Sequence, residues 1–209
     1  LPCLDSELPL LVGLVPDLAE RGVRTYLPSA EQLAMRAKDR LAELAREAGV
    51  AMPETLAITQ ADFFRAAERE EWRYPLVVKG VFHDARIARN RDEAEQAFRA
   101  IAAEWGLPVL VQRRIVGEEC NLAGIGDGRG ALLGEVMMKK RAVTGRGKAW
   151  AGISIHDEAL SDISRRLVAA LKWRGPIEIE MIRDSQGEYQ LIEINPRFPT
   201  WIYLSQGVG

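Results

Sequence analysis

The sequence predicts an α+β fold, and three observations lead there. Segments of strand and helix character follow one another without the regular βαβ alternation that a parallel sheet requires. Several consecutive strand segments are separated only by short glycine-containing turns, at Gly117 and at Gly126-Asp127-Gly128, too short for the crossover between parallel strands. The last patterned segment, 176–195, alternates apolar and polar residues on either side of Gln186-Gly187. With 209 residues, 47% of them hydrophobic and 28% charged, the chain can bury a core in one or two domains.

Each element follows from local pattern. Residues 5–27 read as a helix stopped by Gly22, then a short strand over 23–27. Ser29 is placed to cap a helical segment, and Leu41, Leu44, Ala45 and Ala48 recur at helical spacing up to Gly49. Pro53 opens an extended stretch, 61–71 is an amphipathic helix, and 75–79 is a short apolar strand ending on Lys79. Residues 91–105 are helical, with strands over 108–112, 119–125 and 132–139. The basic, glycine-containing stretch 144–152 reads as a loop, 157–172 as a helix, and nothing after Asn195 reads as a closing helix or strand. The first residue, Leu1, and this ending read as cuts through a longer protein. Residues 1–30 are accordingly assigned to the remnant of a preceding α/β domain and 31–209 to the main domain.

Composition excludes several classes. A net charge of −2 and a pI near 5.9 provide no global basic surface for nucleic acid or an anionic membrane. Apolar runs such as 8–14 are broken by Pro9, Gly13 and Pro16, far short of a membrane span. Cys3 and Cys120 have no framework or metal spacing, and a cytoplasmic setting is expected. With His83 and His156 as the only histidines, a metal here is expected to be hard and oxygen-ligated rather than zinc.

The acidic hairpin is the most informative segment. Ile177, Ile179 and Met181 alternate with Glu178 and Glu180, while Glu193 and Asn195 share a face of the partner strand opposite to Ile192 and Ile194. A two-residue turn at Gln186-Gly187 sets residue 180 against 193 and 178 against 195, so all four polar side chains share a face. Facing carboxylates repel unless water or a cation screens them. Two readings follow: a solvated polar face, or a site for Mg²⁺, with Mn²⁺ as its substitute. Removing one carboxylate of the pair is expected to relieve repulsion by about a few tenths of a kcal/mol in the metal-free protein.

The run Leu191-Ile-Glu193-Ile-Asn195-Pro-Arg197 resembles the closing signature of the ATP-grasp family, including carbamoyl-phosphate synthase-like members. Further pieces recur in the family's order: Lys38 with Gly49-Val50 and Pro53, Tyr74-Pro75-Leu-Val-Val-Lys79, and Val109-Leu-Val-Gln112-Arg-Arg-Ile115-Val-Gly117-Glu-Glu119. Glu180, thirteen positions before Glu193, completes the set. The resemblance implies two α+β subdomains clasping ATP, assigned to 31–110 and 111–209. It also implies roles: Lys38 and Lys79 on phosphates, and Gln112, the Arg113 carbonyl and the Ile115 N–H on the adenine. Glu119 would meet the ribose, Glu180, Glu193 and Asn195 the metal, and Arg197 the transferring phosphoryl group or acyl phosphate.

The implied activity is ATP-dependent activation of a carboxylate, as an acyl phosphate, for attack by an amine or similar nucleophile. Phosphorylation of bicarbonate or carbamate, and a non-catalytic ATP-binding module, are the alternatives. Expected partners are ATP and a small carboxylate-containing substrate, with flanking domains or a second copy of the chain as further contacts. Three departures from the family pattern stand out. Arg40 competes with Lys38, although the eleven-residue distance to Gly49 favours Lys38. The loop 80–86 is poor in glycine, and the basic stretch 139–152 is either a second lid or a solvated loop.

Overall fold

The computed structural model describes residues 4–67, 72–81, 84–144 and 149–207. After a 3₁₀ turn at Asp5–Glu7 come helices α1 (Leu8–Gly13), α2 (Val15–Glu20), α3 (Ala30–Met35) and α4 (Leu41–Glu47). Strand β1 (Thr55–Ile58), helix α5 (Phe63–Ala67), β2 (Leu76–Gly80), β3 (Ala85–Ala88), α6 (Arg91–Trp105) and β4 (Val109–Arg113) follow. The rest is β5 (Gly117–Asp127), β6 (Leu132–Val143), β7 (Ala149–Ile155), α7 (Glu158–Leu171), β8 (Arg174–Asp184) and β9 (Tyr189–Asn195), then a 3₁₀ segment over Thr200–Gly207.

Two antiparallel sheets form, one in the order β1-β4-β2-β3 and the other β7-β6-β5-β8-β9, so the α+β expectation holds. The first sheet packs its apolar face on α5 and α6 through Phe64, Leu76, Val78, Phe98 and Ile101. Asn90 caps α6 by accepting from the Glu93 N–H at 2.9 Å. The second sheet buries Leu122, Ile177, Ile179 and Ile194 against Leu160, Leu167 and Leu171 of α7 and Leu41 and Leu44 of α4. Helix α4 therefore joins the core of the second sheet although it precedes the first in sequence. Burying one face of each sheet leaves the other for polar residues, which is the alternation seen in the hairpin.

Several sequence expectations are corrected. The N-terminal helix is two short ones: Pro16 has no N–H and its ring clashes with a preceding carbonyl, so α1 and α2 break around Leu14. Residues 23–27 pair with no strand among the described residues and are held by side chains instead. Tyr26 donates to the Gly126 carbonyl at 3.0 Å, and Arg174 donates to the Thr25 carbonyl at 2.8 Å. Strand β3 begins inside the stretch 80–86 expected to be loop and runs on through residues given no element. The stretch 144–152 is likewise not all loop, because β7 begins at Ala149 and pairs with β6; its centre, 145–148, lies outside the described residues, as do 82–83 of the loop 80–86, 68–71 of the helix 61–71, and Cys3. The end of the chain carries the 3₁₀ segment rather than no helix.

The hairpin reaches its expected register by a different route. The turn has three residues, Ser185 to Gly187, closed by Gly187 N–H donating to the Asp184 carbonyl at 3.0 Å and Asp184 N–H donating to the Glu188 carbonyl at 2.9 Å. Gly187 sits at φ +86°, which glycine adopts without penalty. That turn shifts the pairing by one residue, and a β-bulge that leaves Ile192 unpaired shifts it back. Glu180 then faces Glu193 and Glu178 faces Asn195, as the alternation requires.

Candidate active site

The polar face of the second sheet carries Glu119 and Asn121 on β5, Lys140 on β6, Glu178 and Glu180 on β8, and Glu193 and Asn195 on β9. Register puts Asn121, Glu180 and Glu193 in one row across three strands. The facing carboxylates are each neutralised by a lysine. Lys38 Nζ lies 3.1 Å from Glu193 Oε1, and Lys140 Nζ bridges Glu180 Oε2 at 2.8 Å and Glu119 Oε2 at 2.9 Å. Burial works to lower the Lys140 pKa, but the Glu180 and Glu119 carboxylates outweigh it and hold the ammonium above its ordinary range.

Glu178 is 3% exposed and accepts four hydrogen bonds: from Asn121 Nδ2 at 2.8 Å, Trp201 Nε1 at 2.8 Å, Asn195 Nδ2 at 3.1 Å and Arg197 at 3.3 Å. Burial, then the neighbouring Glu180, pushes its pKa up against the pull of these donors. The Asn195 amide also donates to Glu180 Oε1 at 2.9 Å, which ties the two strands together at the site.

From the first sheet, Lys79 at the end of β2 is 5% exposed and donates to Gln112 Oε1 at 3.2 Å, while the Gln112 amide donates to Thr55 Oγ1 at 2.8 Å. Burial lowers the Lys79 pKa to about 8, Glu193 opposes that shift and Lys38 adds to it. Lys79 thus lies within electrostatic reach of Glu193 and Lys38, and polar groups of both sheets converge. The connection 114–116 leaves both ladders and carries the half-buried Ile115 between them. Gly117 starts β5 against the Arg183 carbonyl, so close that a Cβ would collide with backbone.

The N-terminal side of the site is lined by arginines. Arg36 donates to the Ile194 carbonyl of β9 at 3.4 Å, and its guanidinium lies 3.4 Å from Asp5 Oδ2. Arg197 Nε lies 3.2 Å from Asp5 Oδ1, and its NH1 is on Glu178. Burial lowers the Arg36 pKa, with Asp5 and Glu193 opposing and Arg197 reinforcing the shift.

Nearly all the side chains singled out in sequence are therefore brought together: Lys38, Lys79, Gln112, Glu119, Glu180, Glu193, Asn195 and Arg197. Arg40 stands apart, paired 3.5 Å from exposed Glu43, whereas Lys38 reaches Glu193. The Arg113 side chain points away, ion-paired with Glu54 at 2.6 Å and stacked over the Trp72 ring at 5.3 Å. Only its backbone is left for the adenine role. Glu118 pairs with Lys139 on the exposed side. Sequence reasoning gave no role to Asn121, Arg36 or Asp5, put Glu178 on the polar face without a ligand role, and read Lys140 as part of a second lid or solvated loop, whereas it lies in β6 paired with Glu119 and Glu180. Alternation signals Asn121, two residues past Glu119, and Glu178, two before Glu180, whereas Lys140 needs the β5–β6 register.

The donor set suits a hard divalent cation. Glu180, Glu193 and Asn195 offer oxygen atoms on one face, and opposed carboxylates are stable only beside positive charge, here that of Lys38 and Lys140. Among the described residues, no group of three or more His, Cys, Asp or Glu side chains is placed to hold a metal. A cation held by two carboxylates and one amide oxygen would keep water and substrate oxygens in its remaining positions, as Mg²⁺ does.

The sequence matches the ATP-grasp domain over residues 36–201, and the chain belongs to the ATP-grasp family. A curated relative is the carbamoyl phosphate synthase large chain of Clostridium beijerinckii, 25% identical over 95% of this chain and 20% of that protein. The chain thus spans about a fifth of that relative's length. Among solved structures, the biotin carboxylase–β,γ-ATP complex from Campylobacter jejuni superposes with a TM-score of 0.78 at 18% identity, covering 94% of this chain and 48% of that one. D-alanine–D-alanine ligase from Bacillus anthracis complexed with ATP gives 0.71 at 19% identity, over 94% of this chain and 66% of that one. Among the described residues no helix is long and apolar enough to cross a membrane.

Proposed function

We propose that the chain is the ATP- and Mg²⁺-binding part of a ligase that activates a small carboxylate as an acyl phosphate for attack by an amine or similar nucleophile. The observation that carries this reading is the convergence of Lys79 and Gln112 from one sheet with Lys38, Glu180, Glu193 and Asn195 around the other. The ATP and ATP-analogue complexes of the structural relatives support it. Lys38 and Lys79 hold phosphates as point charges. Gln112, the Arg113 carbonyl and the Ile115 N–H take the adenine edge, and Glu119 the ribose. Glu180, Glu193 and Asn195 hold Mg²⁺ or Mn²⁺, whose chemistry is to neutralise phosphate charge during phosphoryl transfer.

Arg197, fixed by Glu178, stabilises the transferring phosphoryl group or the acyl phosphate, and positioning with charge neutralisation is all that such a transfer requires. Residues 1–30 belong to a preceding domain in this reading, 31–110 and 111–209 are the two halves of the clasp, and the setting is the cytoplasm. Flanking domains or a second copy of the chain complete the acceptor side. The likeness to the carbamoyl phosphate synthase large chain favours a second reading, phosphorylation of bicarbonate or carbamate.

The test is ADP release by the purified chain with Mg-ATP and a panel of small carboxylic acids and bicarbonate. Release that requires both Mg²⁺ and an acid supports the ligase reading. ATP binding with no release across the panel identifies a nucleotide-binding module instead.

A further inference from the structure

Asp5 reaches from the N-terminal 3₁₀ turn into the space between Arg36 and Arg197. Its fit there is poor. The Oδ2 contact to Arg36 is long at 3.4 Å, and Oδ1, although 3.2 Å from Arg197 Nε, is not aligned for a hydrogen bond and has no hydrogen-bond partner among the described residues. Arg36 Nε is also buried without a partner among the described residues. A buried donor and a buried acceptor are thus both unsatisfied where one better-placed carboxylate would pair with two guanidinium forks. The two attachments of Arg197 differ in kind. Glu178 is buried and holds NH1 with the rest of its hydrogen-bond network, whereas Asp5 sits on a three-residue turn that can be displaced. A cavity of about 330 Å³ opens there, its walls largely apolar through Pro9, Val12, Leu33, Ala34 and Val81, with Arg36 and Lys38 as its two charged members.

We propose that Arg36 and Arg197 form the acceptor pocket, a two-arginine site for the carboxylate of a small acid with a short apolar body, and that Asp5 holds the place until that acid displaces it. This rests on the ligase reading above and assigns its unnamed substrate a class. Arg197 presents its Nε edge while Glu178 fixes its NH1, Arg36 supplies the second fork, and the cavity receives the apolar body. Because Asp5 competes for the same donors, the apparent affinity for an external acid is reduced by the fraction of molecules in which Asp5 occupies the pocket.

The experiment titrates acetate, 3-methylbutanoate and inorganic phosphate into the wild-type chain and Asp5→Asn, following the arginine Nε resonances by ¹H–¹⁵N NMR. Binding of 3-methylbutanoate is expected to tighten at least roughly tenfold in Asp5→Asn. It should exceed acetate by roughly tenfold, from the extra methylenes buried. Arg36→Lys, which keeps the charge and loses the fork, should weaken it roughly tenfold in both backgrounds while circular dichroism stays unchanged. Equal affinities in wild type and Asp5→Asn overturn the proposal. So does acetate matching 3-methylbutanoate, or phosphate binding more tightly than either acid. Mg-ATP titrated into the same samples separates the two readings: ATP binding without an arginine response overturns the acceptor pocket alone. Carboxylate binding without ATP binding overturns the ligase reading and leaves the two-arginine site standing.

Discussion

Lys79 is the residue whose chemistry depends most on its surroundings. Its pKa falls from an ordinary 10.5 to about 8 because it is buried. Between those values the unfolded chain keeps a proton that the folded chain has released, so this group makes stability rise with pH across that window. Below about pH 8 both states are protonated and its contribution is level. A bound phosphate would restore the proton. ATP affinity is therefore expected to fall above pH 8, by up to about tenfold per pH unit, with proton uptake on binding that calorimetry in two buffers detects. Lys79→Arg, which stays charged, should flatten that dependence.

Glu193 illustrates what the sequence left out. Alternation placed it opposite Glu180, and repulsion between them predicted that Glu193→Gln would stabilise the metal-free protein. The structure reverses the sign, because the partly exposed Lys38–Glu193 pair is lost in the variant. A cost below about 1 kcal/mol is expected by chemical denaturation. Mg-dependent ATP turnover should drop at least about 100-fold in the same variant, since even groups behind the ligands of metal sites cost roughly 10–100-fold. Lys38 and Lys140 were legible as basic residues but not as partners of these carboxylates. Their pairing depends on where the connection between α3 and α4 and strand β6 come to lie, which local pattern does not encode.

Among elements, the β8–β9 hairpin was legible for a reason that survives its details. A register slip by one residue would turn Glu193 and Asn195 into the apolar core, so burial of Ile179 and Ile194 fixes the register whatever the turn does. The three-residue turn and the bulge at Ile192 are two irregularities that cancel. Gly187→Ala should cost about 1 kcal/mol or slightly more in thermal or chemical denaturation, as Ala at a positive φ is strained, while the pairing of Glu180 with Glu193 persists. The segment 23–27 misled for the converse reason. Its β-type composition is real, but it is held to β5 and β8 by the Tyr26 hydroxyl on the Gly126 carbonyl and the Arg174 side chain on the Thr25 carbonyl, not by a strand ladder.

At the scale of the whole molecule, the α+β class was readable from turn spacing and hairpin patterns, while the division into two halves came from the family resemblance. The packing of α4 on the second sheet was not, since an amphipathic helix shows which face is buried and not against what. Nor was the approach of Asp5 to Arg197, which joins positions far apart in sequence. The central claim is that neither sheet binds nucleotide alone: Lys79 brings one half and Glu193 the other. Calorimetric titration of ATP, with and without Mg²⁺, into the wild-type chain, Lys79→Met and Glu193→Gln tests it most directly. Mg²⁺-dependent binding is expected, weakened by each substitution by at least roughly tenfold, at about 1.4 kcal/mol per tenfold. Binding that is independent of Mg²⁺, or unchanged in either variant, would contradict it.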